Sequence, residues 1–262
     1  MGLSWAVFFQ IATTAAFIGI ILALGHEFRL QDEGEDVFDR AGIMLEWTDE
    51  RIKAAAEGSE LPAAPKIAAD VFSIKVGFST TFVHELLLLG TVAVMTRQMG
   101  VTKLARLFHF ERFSWDALWV PVVCVIGMYG FVIAWSLAMD AIGPDILRPQ
   151  SRVPVEIARD PVALAMGGVL ACLGAPLAEE AFFRGFVFRG LLRWGSLAAM
   201  AASAFIFSAA HLDPGSLVPF FAVGMALAWL YWRRGCLWDS IAFHFLFNFT
   251  SYMLLVAGSG DV

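Results

Sequence analysis

The chain has 262 residues, of which 59% are hydrophobic and only 16% charged, with a mean hydropathy of +0.71. Soluble domains run near 45–50% apolar and about 25% charged, so this composition excludes an ordinary water-soluble globule. A net charge of −6 offers no basic surface for nucleic acid, and the cysteines (Cys124, Cys172, Cys236) lack the CxxC or Cys/His spacing of structural zinc.

A spanning helix needs about 20 mostly apolar residues, and that rule predicts an all-α, polytopic helical membrane protein with about seven transmembrane helices, within six to eight. The candidate spans are Leu3–Leu24, Val71–Met95, Ala117–Met139, Val162–Phe183, Leu197–Ala210, Ser216–Trp232 and Leu237–Val256. Residues 1–25 read as a retained first helix, because no positive region precedes them and no A-x-A site follows cleanly. Residues 26–70 are different: twelve acidic side chains against five basic mark an acidic extramembrane insert. It should carry a helix over Thr48–Glu57, with Thr48 as the N-cap and Asp49 and Glu50 favouring the positive end of the helix dipole. Residues 71–160 hold the second and third transmembrane helices with their loops, and residues 161–257 hold the rest.

Lys and Arg near the spans set the orientation. Arg97, Lys103, Arg106 and Arg112, then Arg189 and Arg193, then Arg233 and Arg234 fall on one side of a seven-span arrangement. That side is expected to be cytoplasmic, with the amino terminus, although Arg148, Arg152 and Arg159 fall on the other. Trp115, Trp119, Trp194, Trp232 and Trp238 lie near span ends, where amphipathic rings settle at the headgroup level. The cysteines are expected as small buried packing residues.

The last hundred or so residues carry polar groups that are costly in oil and rare there unless they do something. Glu179 and Glu180 follow Gly174-Ala-Pro176, a pair of helix disruptors expected to break the fourth span. In the helix that restarts, Glu180 and Arg184 stand at i,i+4 and can form a salt bridge, while Glu179 is turned about 100° away. One carboxylate is then neutralised as scaffold and the other stays free. His211 should end its helix, because Asp213-Pro214-Gly215 is a turn. His244 and Asn248, also at i,i+4, share one face of an aromatic helix and must point into the bundle; both can donate hydrogen bonds to charge developing in a transition state. His84-Glu85 is a further intramembrane polar pair, not an HExxH metal motif because position 88 is Leu, and reads as structural or accessory. Asp140 and Asp239 are expected at the interface. Straight spans would set His211 and His244 at different depths, so a tilted fifth span, a re-entrant piece or a long fourth helix running toward Arg193 is needed to level them.

EExxxR at Glu179-Glu180…Arg184, FxxxH at Phe207…His211 and HxxxN at His244…Asn248, in this order on successive helices, resemble the CAAX protease and bacteriocin-processing (CPBP) family of intramembrane glutamic proteases. The resemblance covers roughly Val162–Val256 and makes residues 161–257 a catalytic helical core. It implies that Glu179 is the general base and, with His211, activates a water; that His244 and Asn248 stabilise the oxyanion; and that Glu180 and Arg184 support the site. It implies no cofactor and no metal. Its partners would be a peptide or protein substrate, membrane-bound or lipidated, and membrane lipid, in a bacterial plasma membrane. Phe182, Phe183, Phe243, Phe245 and Phe247 could line a groove for such a substrate. Two alternatives remain open: a zinc protease with Glu179 or Glu180, His211 and His244 as ligands, and a non-enzymatic immunity or scaffold protein whose polar groups serve packing.

Overall fold

The computed structural model describes residues 71–143, 160–211 and 213–258, together with 49–50, 52–54, 56–60, 62, 147 and 157. The expected first span Leu3–Leu24, most of the acidic insert and the Thr48 cap lie outside the described residues. Of the helix expected over Thr48–Glu57, residues 49–50, 52–54 and 56–57 are helical. Everything regular among the described residues is helix.

Seven helices organise the described chain: α1 Val71–Thr96, α2 Val101–Leu107, α3 Trp119–Ile142, α4 Pro161–Trp194, α5 Ser196–Ala210, α6 Leu217–Arg234 and α7 Leu237–Gly258. By length and composition four of them can cross a membrane: α1, α3 with its lead-in from Trp115, α4 and α7. The expected count of about seven spans is not reached among the described residues. The 15 residues of α5 extend about 22 Å at 1.5 Å per residue, short of the ~30 Å hydrocarbon core. The fourth expected span, Val162–Phe183, is longer than the sequence suggested: α4 runs 34 residues to Trp194, or about 51 Å.

Lipid-like surroundings are written on the outer surface. Phe82, Val94, Val123, Ile126, Ile133, Leu137, Phe205 and Leu254 are large, apolar and exposed. Inside, one apolar cluster runs from Leu88 and Val92 of α1 through Phe182, Phe183 and Phe188 of α4 to Phe207, Leu227, Phe243 and Phe247. The closest helix pair is α5 against α6. A Cβ placed on Gly224 would stand 2.8 Å from the Ala204 Cα, so the two backbones touch only because both residues are small.

One end of the bundle is knitted by arginines. Arg189 donates to the Leu107 carbonyl at 2.8 Å, Arg112 to the Arg234 carbonyl at 3.1 Å, and Arg234 back to the Arg112 carbonyl at 2.6 Å. The Leu237 N–H reaches the Phe108 carbonyl at 3.1 Å. The three basic connections grouped from sequence therefore share one end of the molecule. Asp239, expected at the interface, is buried there instead, held by Arg233 at 3.2 Å and Arg234 at 3.1 Å. Of the cysteines, Cys172 and Cys236 are buried, Cys124 is half-buried, and all are free.

Candidate active site

The site is built on α4, and its geometry begins with a proline that the helix absorbs. Asp160 caps the start, its carboxylate accepting the Val162 and Ala163 N–H groups at 2.9 and 2.8 Å, and Pro161 takes the first turn, where no N–H is needed. The break expected at Gly174-Ala-Pro176 does not occur. The chain widens into a π turn over Leu170–Gly174, in which the Ala175 N–H reaches back five residues to the Leu170 carbonyl. In that register the next donor would be residue 176, bonding to the Ala171 carbonyl; Pro176 has no N–H to give. The Asn248 amide supplies it, Nδ2 donating to the Ala171 carbonyl at 2.8 Å. An asparagine on α7 thus replaces the hydrogen bond that a proline on α4 removed, and the helix continues. A second π stretch, Glu180–Phe188, follows at once, so the two glutamates sit where the backbone changes pitch, a placement frequent at functional sites.

Glu180 and Arg184 are fully buried. The salt bridge predicted from their i,i+4 spacing is present, Arg184 Nη1 to Glu180 Oε1 at 2.8 Å. The same oxygen receives the Nδ1 of His244, itself 5% exposed, at 2.9 Å. Arg184 Nη2 continues to the Gly224 carbonyl at 3.3 Å, and the guanidinium carbon stands 4.4 Å from the centre of the Phe207 ring. Glu180 thereby ties α4 to α7 directly and, through Arg184, to α6. Charges this deep are tolerated only when paired, and removing one partner strands the other.

His211 closes α5, as its turn-forming neighbours predicted. Its Nδ1 lies 2.8 Å from the Phe207 carbonyl. A carbonyl only accepts, so Nδ1 donates the hydrogen. The ring packs 4.9 Å from Phe207 and 4.4 Å from Phe220. Phe207 in turn stands 6.0 Å from the His244 ring. The Phe of FxxxH is thus a shared wall, with His211, His244 and Arg184 all against it. The depth mismatch that straight spans would impose is absent, since both imidazoles stand against the one Phe207 ring.

Glu179 faces a different environment from its neighbour. It is half-buried, and its Oε2 is enclosed without a hydrogen-bond partner. Arg184, His84 and Glu85 all lie within electrostatic range of it. Glu85 is 4% exposed, and Glu85 Oε2 and His84 Nε2 also lack partners. Helix α1 packs on α4 along this stretch. The pair assigned an accessory role in the sequence therefore borders the glutamate cluster. The available signal was their ionisable character in an apolar helix; pairing with Glu179 required the α1–α4 contact.

An apolar cavity of about 530 Å³ is walled by Phe113, Trp115, Leu177, Trp238, Ile241 and Phe245 among others, and none of Glu179, Glu180, His211, His244 and Asn248 lines it. Of the five phenylalanines expected to line a groove, only Phe245 does; Phe182, Phe183, Phe243 and Phe247 are core residues. Among the described residues, no group of three or more His, Cys, Asp or Glu comes together in a way that could hold a metal ion. Glu180, one of the two glutamates that could serve a zinc site, is bonded to the Nδ1 of His244.

Comparison with protein families gives a match over residues 161–250, about a third of the chain, to the family described as Rce1-like, type II CAAX prenyl endopeptidase Rce1-like. The matched stretch holds the three motifs and the whole Glu180–Arg184–His244 cluster. It carries a protease signature, and with the apolar helices it marks an integral membrane protein. No curated protein and no solved structure matches the chain.

Proposed function

We propose that this chain, whose residues 161–250 match the CAAX prenyl endopeptidase family model, is an intramembrane endopeptidase that uses Glu179 to activate water. The observation that carries the reading is the division of labour between adjacent glutamates. Each keeps an enclosed Oε2 without a partner, but Glu180 is fully buried with its Oε1 committed to Arg184 and His244, whereas Glu179 is half-buried and is not tied into that ion pair. A carboxylate with spare acceptor capacity, in a low-dielectric pocket, is what a general base needs.

In the proposed reaction, Glu179, assisted by His211, takes a proton from water as the water oxygen attacks the substrate carbonyl carbon. The carbon–oxygen π electrons move to the carbonyl oxygen. Collapse of this tetrahedral oxyanion breaks the C–N bond, and the proton held by the base passes to the leaving amine. His244 and Asn248 meet the oxyanion. Asn248 spends one amide N–H on Ala171 and keeps a second. His244 spends Nδ1 on Glu180, so Nε2 is the ring nitrogen left to meet the oxyanion. Preorganised donors of this kind are worth about 10²–10³ each in rate.

The apolar cavity favours a substrate with a lipid-like part. Its walls come in part from α4 and α7, the helices that also carry Glu179 and His244. A lipidated carboxyl-terminal segment of CAAX type fits that chemistry. The deciding experiment compares protein termini in cells carrying the wild-type chain or Glu179→Gln. Loss of a defined set of new termini, with the variant still folded in the membrane, supports the reading; full activity in the variant removes it.

A further inference from the structure

We propose that Glu85 is a second acid of this site, a positioning residue that shares one proton with Glu179 and thereby keeps Glu179 ionised as the base. The inference rests on the reading of Glu179 as base, but it concerns a residue on α1, outside the stretch that matches the protease family. Four observations carry it. Glu85 is almost completely buried in an apolar helix. Its Oε2 and that of Glu179 are both enclosed and unbonded. The two carboxyls lie within electrostatic range of each other. Helix α1 is packed against the segment of α4 that presents Glu179.

Two carboxyls confined together in a low-dielectric site do not both ionise; one proton stays with the pair. Its location follows from the surroundings. Glu179 is the more exposed of the two and has Arg184 within electrostatic range, which favours its charge. Glu85 is the deeper, so the proton sits there. Nearby charges do not upset this balance. On α4, Glu180 and Arg184 are closed on each other and on His244. On α1, Lys75 is bound to Asp160 at 2.8 Å. That leaves two imidazoles as rivals for the proton, His84 on α1 and His211, which the proposed reaction sets beside Glu179.

The test uses the full chain in lipid nanodiscs. Infrared spectra in light and heavy water at neutral pH read protonated carboxyl C=O stretches, whatever the enzymatic activity. The wild type should show such a band; Glu85→Gln should lose it, and Glu179→Gln should shift it. No band in the wild type, as a proton on His84 would give, overturns the proposal, and so does a band that survives Glu85→Gln. If Glu85→Gln fails to fold, the Glu179→Gln spectrum decides, because an unshifted band means that the carboxyls are independent. Should the chain prove not to be a peptidase, the infrared arm still stands or falls by itself.

Discussion

The arginine-knitted end and the glutamate centre of the same bundle handle charge in opposite ways. At the end, Asp239 is buried but held by two arginines, and Arg112, Arg189 and Arg234 reach backbone carbonyls across the loops. At the centre, Glu180 Oε1 is shared by Arg184 and His244, while Glu179, Glu180, Glu85, His84 and Arg184 each keep an enclosed polar atom without a partner. An unsatisfied buried group costs about 1–3 kcal/mol, more when it is charged. The end keeps one such atom, Arg233 Nε, and the centre five, so the unmet polar groups gather around the two glutamates.

The sharpest way to break this comparison is to treat Glu180 and Glu179 alike. Glu180→Ala strands a fully buried Arg184 and should destabilise the protein by about 3–5 kcal/mol, read as a large drop in thermal midpoint in detergent. Glu179→Gln should leave that midpoint nearly unchanged while abolishing cleavage. Equal stability losses would erase the distinction between scaffold and base. Next in size is Gly224→Ala, whose new methyl meets the Ala204 backbone and must push α5 from α6; overpacking of this kind costs about 1–3 kcal/mol. It should also lower activity, because Gly224 accepts from Arg184 and the Arg184–Phe207 contact rests on that packing.

Asn248→Leu tests whether an asparagine makes good the proline's missing hydrogen bond. The loss should be about 1 kcal/mol, since interhelical hydrogen bonds in membranes are modest, and the double variant Asn248→Leu with Pro176→Ala should recover stability without recovering cleavage. The smallest effect lies at the start of α4, where the Lys75 ammonium and then the Ala163 N–H hold the Asp160 carboxyl below its usual range. A carboxyl held low in the folded state contributes stability while ionised. That contribution is therefore complete above the unfolded value and fades as the pH falls through the folded one. Acid titration of the melting temperature should show this slope in the wild type and lose it in Asp160→Asn.

Much of the site was legible because helical spacing is a local rule. The Glu180–Arg184 bridge, the inward face shared by His244 and Asn248, and His211 as a helix end all follow from i,i+4 geometry and turn chemistry. The readings that changed depend on what another helix supplies. Pro176 looked like a break because a proline removes a hydrogen bond; whether the helix survives depends on a donor from 72 positions later in the chain, Asn248. Asp239 looked interfacial because its arginine partners count only once the α6–α7 hairpin closes. The aromatic groove was misassigned because phenylalanine suits core and lipid surface equally, and only packing tells them apart.

From sequence alone came the helical membrane character, the polar residues that oil would reject, and their order along the chain. Those are consequences of composition and of a 3.6-residue period, and they need no knowledge of neighbours. Tertiary structure decided which glutamate is spent, which is left open, and which acid on α1 stands near it. Those outcomes depend on distances between helices far apart in sequence, and a side chain's electrostatic role is set by what lies within a few ångströms of it.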